Sequence, residues 1–127
     1  MKNFTFTKSF QFNENDIVDI ISSAVYDIGY WACIDNSNDV WVNTSQSMPE
    51  DATFEDVFYQ ILADGNSVHL IDVEGTDGEW ELTLDKLLKG IQMAIDDDNW
   101  SGDMDDIDGL VGDIVFQLAL FEDIVYG

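Results

Sequence analysis

The chain reads as an α+β domain, a small antiparallel sheet packed against about four helices, and three observations lead there. Apolar residues recur at helical spacing in four separate stretches. Two shorter apolar runs flank the turn-forming segment GTDG. A chain of 127 residues that is 46% hydrophobic, with a single proline at Pro49, is expected to bury roughly two thirds of its unfolded surface in one core. No internal repeat and no linker divides it, so residues 1–127 are expected to form a single compact domain.

At the start, Phe4, Phe6, Phe10 and Phe12 alternate with polar residues, which predicts a strand or hairpin with one buried face. Asn13 to Asp16 then offer capping side chains. Ile17, Ile20, Ile21, Ala24, Val25 and Ile28 follow at helical spacing and predict a first helix stopped by Gly29. Val40, Trp41 and Val42 suggest a short strand. A second helix carries Phe54, Val57, Phe58, Ile61 and Leu62, with Asp51 or Thr53 as its cap and Gly65 beyond its end.

Ser67 to Val73 and Glu79 to Leu82 form the predicted hairpin around GTDG. Thr83 caps a third helix, whose apolar face is Leu84, Leu87, Leu88, Ile91 and Ile95. After the acidic stretch DDDNWSGDMDDID, a fourth helix carries Leu110, Val111, Ile114, Val115 and Leu118. Phe121 to Tyr126 either pairs as a last strand or packs on a second copy; the sequence leaves this and the oligomeric state open.

Charge is the strongest functional signal. The chain has 27 Asp and Glu residues, four lysines (Lys2, Lys8, Lys86 and Lys89) and no arginine, a formal net charge of -23. Such an imbalance destabilises a compact state through self-repulsion, so it calls for a cation, a basic partner or an adaptation to salt. Halophilic proteins spread acids evenly and have lean cores. This chain instead clusters them: seven lie between Asp96 and Asp108 and six between Asp72 and Asp85.

Clustering matters because the average charge density is too low to imitate a nucleic acid. Size scaling gives a surface on the order of 7,000 Å², roughly 300 Å² per net charge. Duplex DNA carries one charge per ~1.7 Å of axis, roughly 100 Å² of its cylinder. Only local patches can resemble DNA. On the hairpin, residues of like parity share a face, so Asp72 with Glu74 and Glu79 with Glu81 are expected to project as a ridge, with Asp77 at the turn and Trp80 turned inward.

Enzymatic chemistry finds few of its parts. His69 is the one histidine and lies within the apolar run VHLID, the position of a structural residue. The chain lacks arginine and a GxxxxGK[ST] cradle, which removes the usual machinery for phosphate chemistry. Paired carboxylates are unspecific where 27 acids are present. Cys33 cannot form an internal disulfide and sits in an apolar run, where a buried thiol is expected. No cofactor is implied.

One alternative places a calcium loop at 97–108. Aligning Gly102 with the invariant glycine of an EF-hand puts Asp97, Asn99, Ser101, Asp103, Asp105 and Asp108 at ligand positions and Met104 in the apolar slot. Two of these ligands are neutral, and Asp108 stands where a bidentate glutamate is usual. The other reading is a solvated acidic loop.

No run approaches the ~18 apolar residues of a membrane span, and MKNFTFTKSFQF lacks the apolar stretch of a signal peptide, so a cytoplasmic location without membrane contact is expected.

Three segments, LADGNSVHLIDVEG, EWELTLDKLLKGIQM and FQLALFEDIVYG, resemble a family of small acidic proteins carried by bacterial phages and integrative mobile elements. The resemblance covers about half the chain; Met1 to Asp51 depart from the family pattern. It implies a shared fold and a setting like that of anti-CRISPR and antirestriction proteins, many of which are acidic mimics of DNA. It transfers no catalytic residue.

Together these readings predict a non-enzymatic inhibitor that fills a basic nucleic-acid cleft of a CRISPR effector such as Cas9, without binding nucleic acid itself. A restriction enzyme is the alternative target. The expected contact residues are Asp72, Glu74, Asp77, Glu79 and Glu81 on the hairpin, and Asp96, Asp97, Asp98, Trp100, Asp103, Asp105, Asp106 and Asp108 on the loop. Trp41 and Trp100 are the candidate apolar anchors, each equally readable as a core residue.

Overall fold

The computed structural model describes residues 2–4, 9–75 and 78–127. The first helix, α1 (Glu14–Val25), is set by a capping box. Asn13 Oδ1 accepts from Asp16 N at 2.8 Å while Asp16 Oδ2 accepts from Asn13 N at 2.9 Å. Two backbone donors that a helix start leaves orphaned are thereby satisfied. Ile17, Ile20, Ile21 and Ala24 form its buried face. The helix ends at Val25, short of the expected Ile28, which instead opens a 3-10 turn (Ile28–Tyr30) and remains buried.

After β1 (Ala32–Ile34), the run Val40–Val42 lies inside a second helix, α2 (Asp39–Gln46), where a strand was expected. The reason is local: Asn38 Oδ1 accepts from Trp41 N at 2.9 Å and starts a helix. Only Trp41 and Thr44 on it are buried, so three neighbouring apolar residues had imitated a buried strand. The described residues therefore form five α-helices where about four were predicted.

Helix α3 (Phe54–Ala63) has a second capping box, between Thr53 and Asp56. The hairpin forms as predicted from β2 (Val68–Asp72) and β3 (Glu79–Leu82), and the sheet order is β1-β2-β3, antiparallel throughout. Register pairs His69 with Glu81 and Leu70 with Trp80 across the hairpin, and Cys33 with Ile71 on the other side. Alternation sends Ala32 into the core and Cys33 outward, so the lone thiol is exposed where burial was expected. An apolar run was a poor guide because a strand shows only every second side chain to the core.

Helix α4 (Leu84–Asp96) starts at the Thr83 cap, and α5 (Gly109–Phe121) follows the acidic stretch, starting at Asp108. Helix α5 is buried nearly all round, as Val111, Gly112, Asp113, Val115, Phe116, Gln117, Leu118 and Ala119 show. A helix apolar on every side belongs in the centre. It packs between α4 and α1, with β3 also against it. Glycines permit the approach: a Cβ on Gly90 would lie 2.5 Å from Val115 O, and one on Gly112 would lie 2.6 Å from Ala24 N.

The expected N-terminal strand is absent from the described part of its segment. Residues 9–13 run without regular structure up to α1, while Phe6 lies outside the described residues. Phe10 and Phe12 stack at 6.4 Å, and Phe12 stacks on Trp100 at 5.6 Å. Their spacing serves ring packing, and no strand among the described residues pairs with them.

Candidate partner-binding surface

All seven carboxylates from Asp96 to Asp108 are exposed, and among the described residues none is in an ion pair. Two classes of acid are mixed here. Asp103, Asp106 and Asp108 hold the loop: Asp103 Oδ1 accepts from Asp105 N at 2.9 Å, Asp106 Oδ2 from Ser101 Oγ at 2.8 Å and Asp108 Oδ1 from Val111 N at 2.8 Å. Asp108 also sits at the positive end of the α5 dipole, where an anion is favoured.

Asp96, Asp97 and Asp98 sit at the opposite kind of end. They close α4, whose last turn carries no basic residue, so three negative charges crowd the negative pole of the helix. Each costs about 0.3–1 kcal/mol at low ionic strength. Asp98 additionally adopts φ 60, the left-handed conformation that glycine prefers. Asp96 accepts from Gln92 Nε2, whereas Asp97, Asp98 and Asp105 make no side-chain hydrogen bond to any described residue. Folding gains nothing from these three carboxylates.

The tertiary structure enlarges this patch with Asp27, which sequence reasoning missed. Its carboxylate lies 2.7 Å from the point a Gly109 Cβ would occupy, so the end of α1 borders the end of the acidic loop. Nothing in the linear sequence links residues this far apart. The same fold takes Trp100 out of contention as an anchor. It is 4% exposed, stacked on Phe12, with Nε1 donating to Asp103 O at 3.1 Å. Trp41 is likewise buried, against Phe54 at 4.6 Å. Both indoles are core.

The hairpin acids form a smaller and partly neutralised group. Glu79 and Glu81 do share a face, and His69 lies between them, with Nε2 3.5 Å from Glu79 Oε1 and Nδ1 2.6 Å from Glu81 Oε1. The two carboxylates raise the imidazole above its ordinary value, Glu81 contributing most. Glu81 is lowered in turn, first by the Ser67 hydroxyl at 2.5 Å and then by His69. Because Glu81 stands between Ser67 and His69, the imidazole is not placed to activate that hydroxyl.

The ridge expected from Asp72 and Glu74 is incomplete. Strand β2 ends at the half-buried Asp72, whose Oδ1 accepts from Glu74 N at 2.9 Å, and Glu74 lies in the turn. Asp77 lies outside the described residues. Hairpin and loop also occupy opposite ends of α4, which at ~1.5 Å per residue separates them by roughly 20 Å. They are two patches.

As a metal site the loop has no converged donors. Asp103 and Asp108 cap backbone groups, Ser101 donates to Asp106, Asp97 closes α4, Asn99 is half-buried, and no group of three or more His, Cys, Asp or Glu side chains among the described residues is arranged to hold an ion. No helix among the described residues is long and apolar enough to cross a membrane.

The mean surface density remains below that of DNA: 7823 Å² shared by 23 net charges is about 340 Å² each. A scan of protein-family models, a search of curated proteins and a search of solved structures each returned no match.

Proposed function

We propose that the protein is a non-enzymatic inhibitor that presents the Asp96–Asp108 loop, with Asp27 beside it, to the basic nucleic-acid cleft of a bacterial defence nuclease, a CRISPR effector such as Cas9 being the expected target. The observation that carries this reading is the placement of Asp97, Asp98 and Asp105. They are exposed, unpaired among the described residues and without a structural role, and two of them burden the wrong end of a helix. Local rules of stability are broken most often where function requires it.

In such a cleft, lysines and arginines arranged for phosphates meet carboxylates, and the guide heteroduplex or target duplex is displaced. Opposite fields speed the encounter and are screened over ~8 Å at physiological ionic strength. Inhibition should therefore weaken as salt rises.

The test is displacement of labelled DNA from the nuclease at about 0.15 M salt. The variant Asp97→Asn/Asp98→Asn/Asp105→Asn leaves every cap in the loop intact. It is expected to lose about tenfold or more in inhibition and to flatten the salt dependence. Undiminished inhibition by this variant would exclude the loop. Loss of cleavage with DNA still bound would replace competition by a conformational lock. Displacement from a restriction enzyme and not from a CRISPR effector would move the target while keeping the mechanism.

A further inference from the structure

We infer that the open edge of β1 is a docking groove for an extended segment of the partner protein in which apolar residues alternate with Lys or Arg. This rests on reading the chain as a partner-binding module, and it supplies the apolar contact that the buried Trp41 and Trp100 cannot.

A groove of about 410 Å³ runs along this edge, lined by β1 itself, by Val25, Tyr26 and Ile28 from the end of α1, and by Phe54 at the start of α3. Side chains of β1 alternate between two faces, yet all three of its residues line the groove, so it follows the strand's edge. The ladder agrees. Trp31 O accepts from Val73 N and Asp35 N donates to His69 O, which turns the backbone of Trp31, Cys33 and Asp35 toward β2. The N–H and C=O groups of Ala32 and Ile34 therefore point away from β2, toward the groove, and no further strand among the described residues pairs with β1. This is the template that an added strand uses, with pockets beside it for alternate side chains.

Charge selects the occupant. An acid follows the lining residue on each wall: Asp27 after Tyr26, Asp35 after Ile34 and Glu55 after Phe54. Among the described residues no lysine lines the groove. Tyr26 is 79% exposed at the rim and offers its ring face to a cation or an aliphatic stem. Asp27, between the groove-lining Tyr26 and Ile28, has its carboxylate beside Gly109 at the end of the acidic loop, so one partner reaching both would meet the complement of a basic surface on the loop and a strand template on the edge. A second copy of this chain would meet the same edge with a charge of -23 on each side.

The test uses the whole protein and two synthetic peptides of equal charge, Lys-Val-Lys-Val-Lys and Lys-Gly-Lys-Gly-Lys, followed by residue-resolved amide hydrogen exchange. The valine peptide is expected to slow exchange at Ala32 and Ile34 by tenfold or more, leaving Cys33 and Asp35 unchanged, and to slow alkylation of the Cys33 thiol. The glycine peptide should do neither, and Tyr26→Ser should weaken the valine peptide's effect severalfold. Equal protection by both peptides, or protection that avoids Ala32 and Ile34, would overturn the inference. So would protection of these amides that grows with protein concentration alone, which would assign the edge to a second copy. No nuclease enters this experiment, so its failure leaves the DNA-displacement result standing, and the reverse also holds.

Discussion

Trp31 and Asp113, 82 positions apart, meet in the core, where the indole Nε1 donates to the carboxylate Oδ1 at 2.8 Å. Asp113 is 4% exposed on the central helix and also accepts from Tyr30 Oη at 2.5 Å and Gln117 Nε2 at 2.9 Å. Gln117 passes the network on: its Oε1 accepts from Val125 N and Tyr126 N, both at 2.7 Å, and Tyr126 then stacks on Trp31 at 5.0 Å. The segment after α5 is thus not a strand: Tyr126 packs inward while Ile124 and Val125 stay exposed. It is clamped by a core amide.

Replacing the hub should be the most damaging single change. Asp113→Ala leaves Trp31 Nε1 and a Gln117 donor unsatisfied in the interior, and hydrogen bonds to a charged group contribute about 1.5–3 kcal/mol each. A loss of about 3–5 kcal/mol is expected in urea unfolding, with Asp113→Asn costing less because one acceptor oxygen remains. A loss below 1 kcal/mol would show that the network contributes little.

Tyr30 gives the same network an alkaline signature. Partial burial of its hydroxyl, then the Asp113 carboxylate, push the phenol up to about 12 from 10.0. A folded value above the unfolded one means stability is full below pH 10 and is lost as pH rises toward 12. Tyr30→Phe should remove that part of the alkaline decline. An unchanged pH profile in the variant would assign it elsewhere, Tyr59 being the next phenol raised, by burial and Glu14.

The helix–helix contacts predict a sign that helix propensity alone gets wrong. Alanine is favoured over glycine in a helix interior by about 1 kcal/mol. At Gly112 the new methyl would meet the backbone of Ala24, and at Gly90 it would meet Val115 O and Ala119. Each substitution should therefore destabilise, by about 1–3 kcal/mol in chemical denaturation. An increase in stability for either would mean that the helices separate at small cost.

His69 should report on pH near neutrality. Its folded value is raised above 6.5 by Glu81 and Glu79, so its contribution is full below pH 6.5 and fades as pH rises through the folded value. Glu81, lowered below 4.5, adds stability above that pH and loses it as pH falls. In His69→Gln the decline above pH 6.5 should vanish, with a loss at pH 6 of about 0.5–1 kcal/mol because the glutamates are exposed. Direct imidazole titration by NMR gives the check.

Self-repulsion from -23 charges should make the fold salt-sensitive without making it salt-dependent. Thermal midpoints are expected to rise by several degrees between about 0.01 and 0.5 M sodium chloride, as the screening length falls from ~30 Å. Asp97→Asn/Asp98→Asn/Asp105→Asn should raise the low-salt midpoint and shrink this gain. Folding that begins only near molar salt would favour a halophilic adaptation.

By itself, the sequence determined the α+β class, the helices capped near Asn13, at Asp51 or Thr53 and at Thr83, the helix carrying Leu110 to Leu118, the hairpin around GTDG, and the existence of two acidic clusters. These are local matters: a cap, a turn and an apolar period act within a few residues. It misread Phe10–Phe12, Val40–Val42 and Cys33, and left Trp41 and Trp100 open between core and anchor, because the direction a side chain faces depends on what packs against it. The polar pair Asp113 and Gln117, one helical turn apart in an otherwise apolar helix, was visible as a pattern, but its partners Trp31 and Tyr126 were not. Tertiary structure alone decided that the two acidic clusters lie at opposite ends of α4 and that Glu79 and Glu81 surround His69. It also brought Asp27, just past the end of α1, to Gly109 at the end of the acidic loop. Those relations follow from how α5 is enclosed by α1, α4 and the sheet, and that enclosure is set by close packing between residues far apart in the chain.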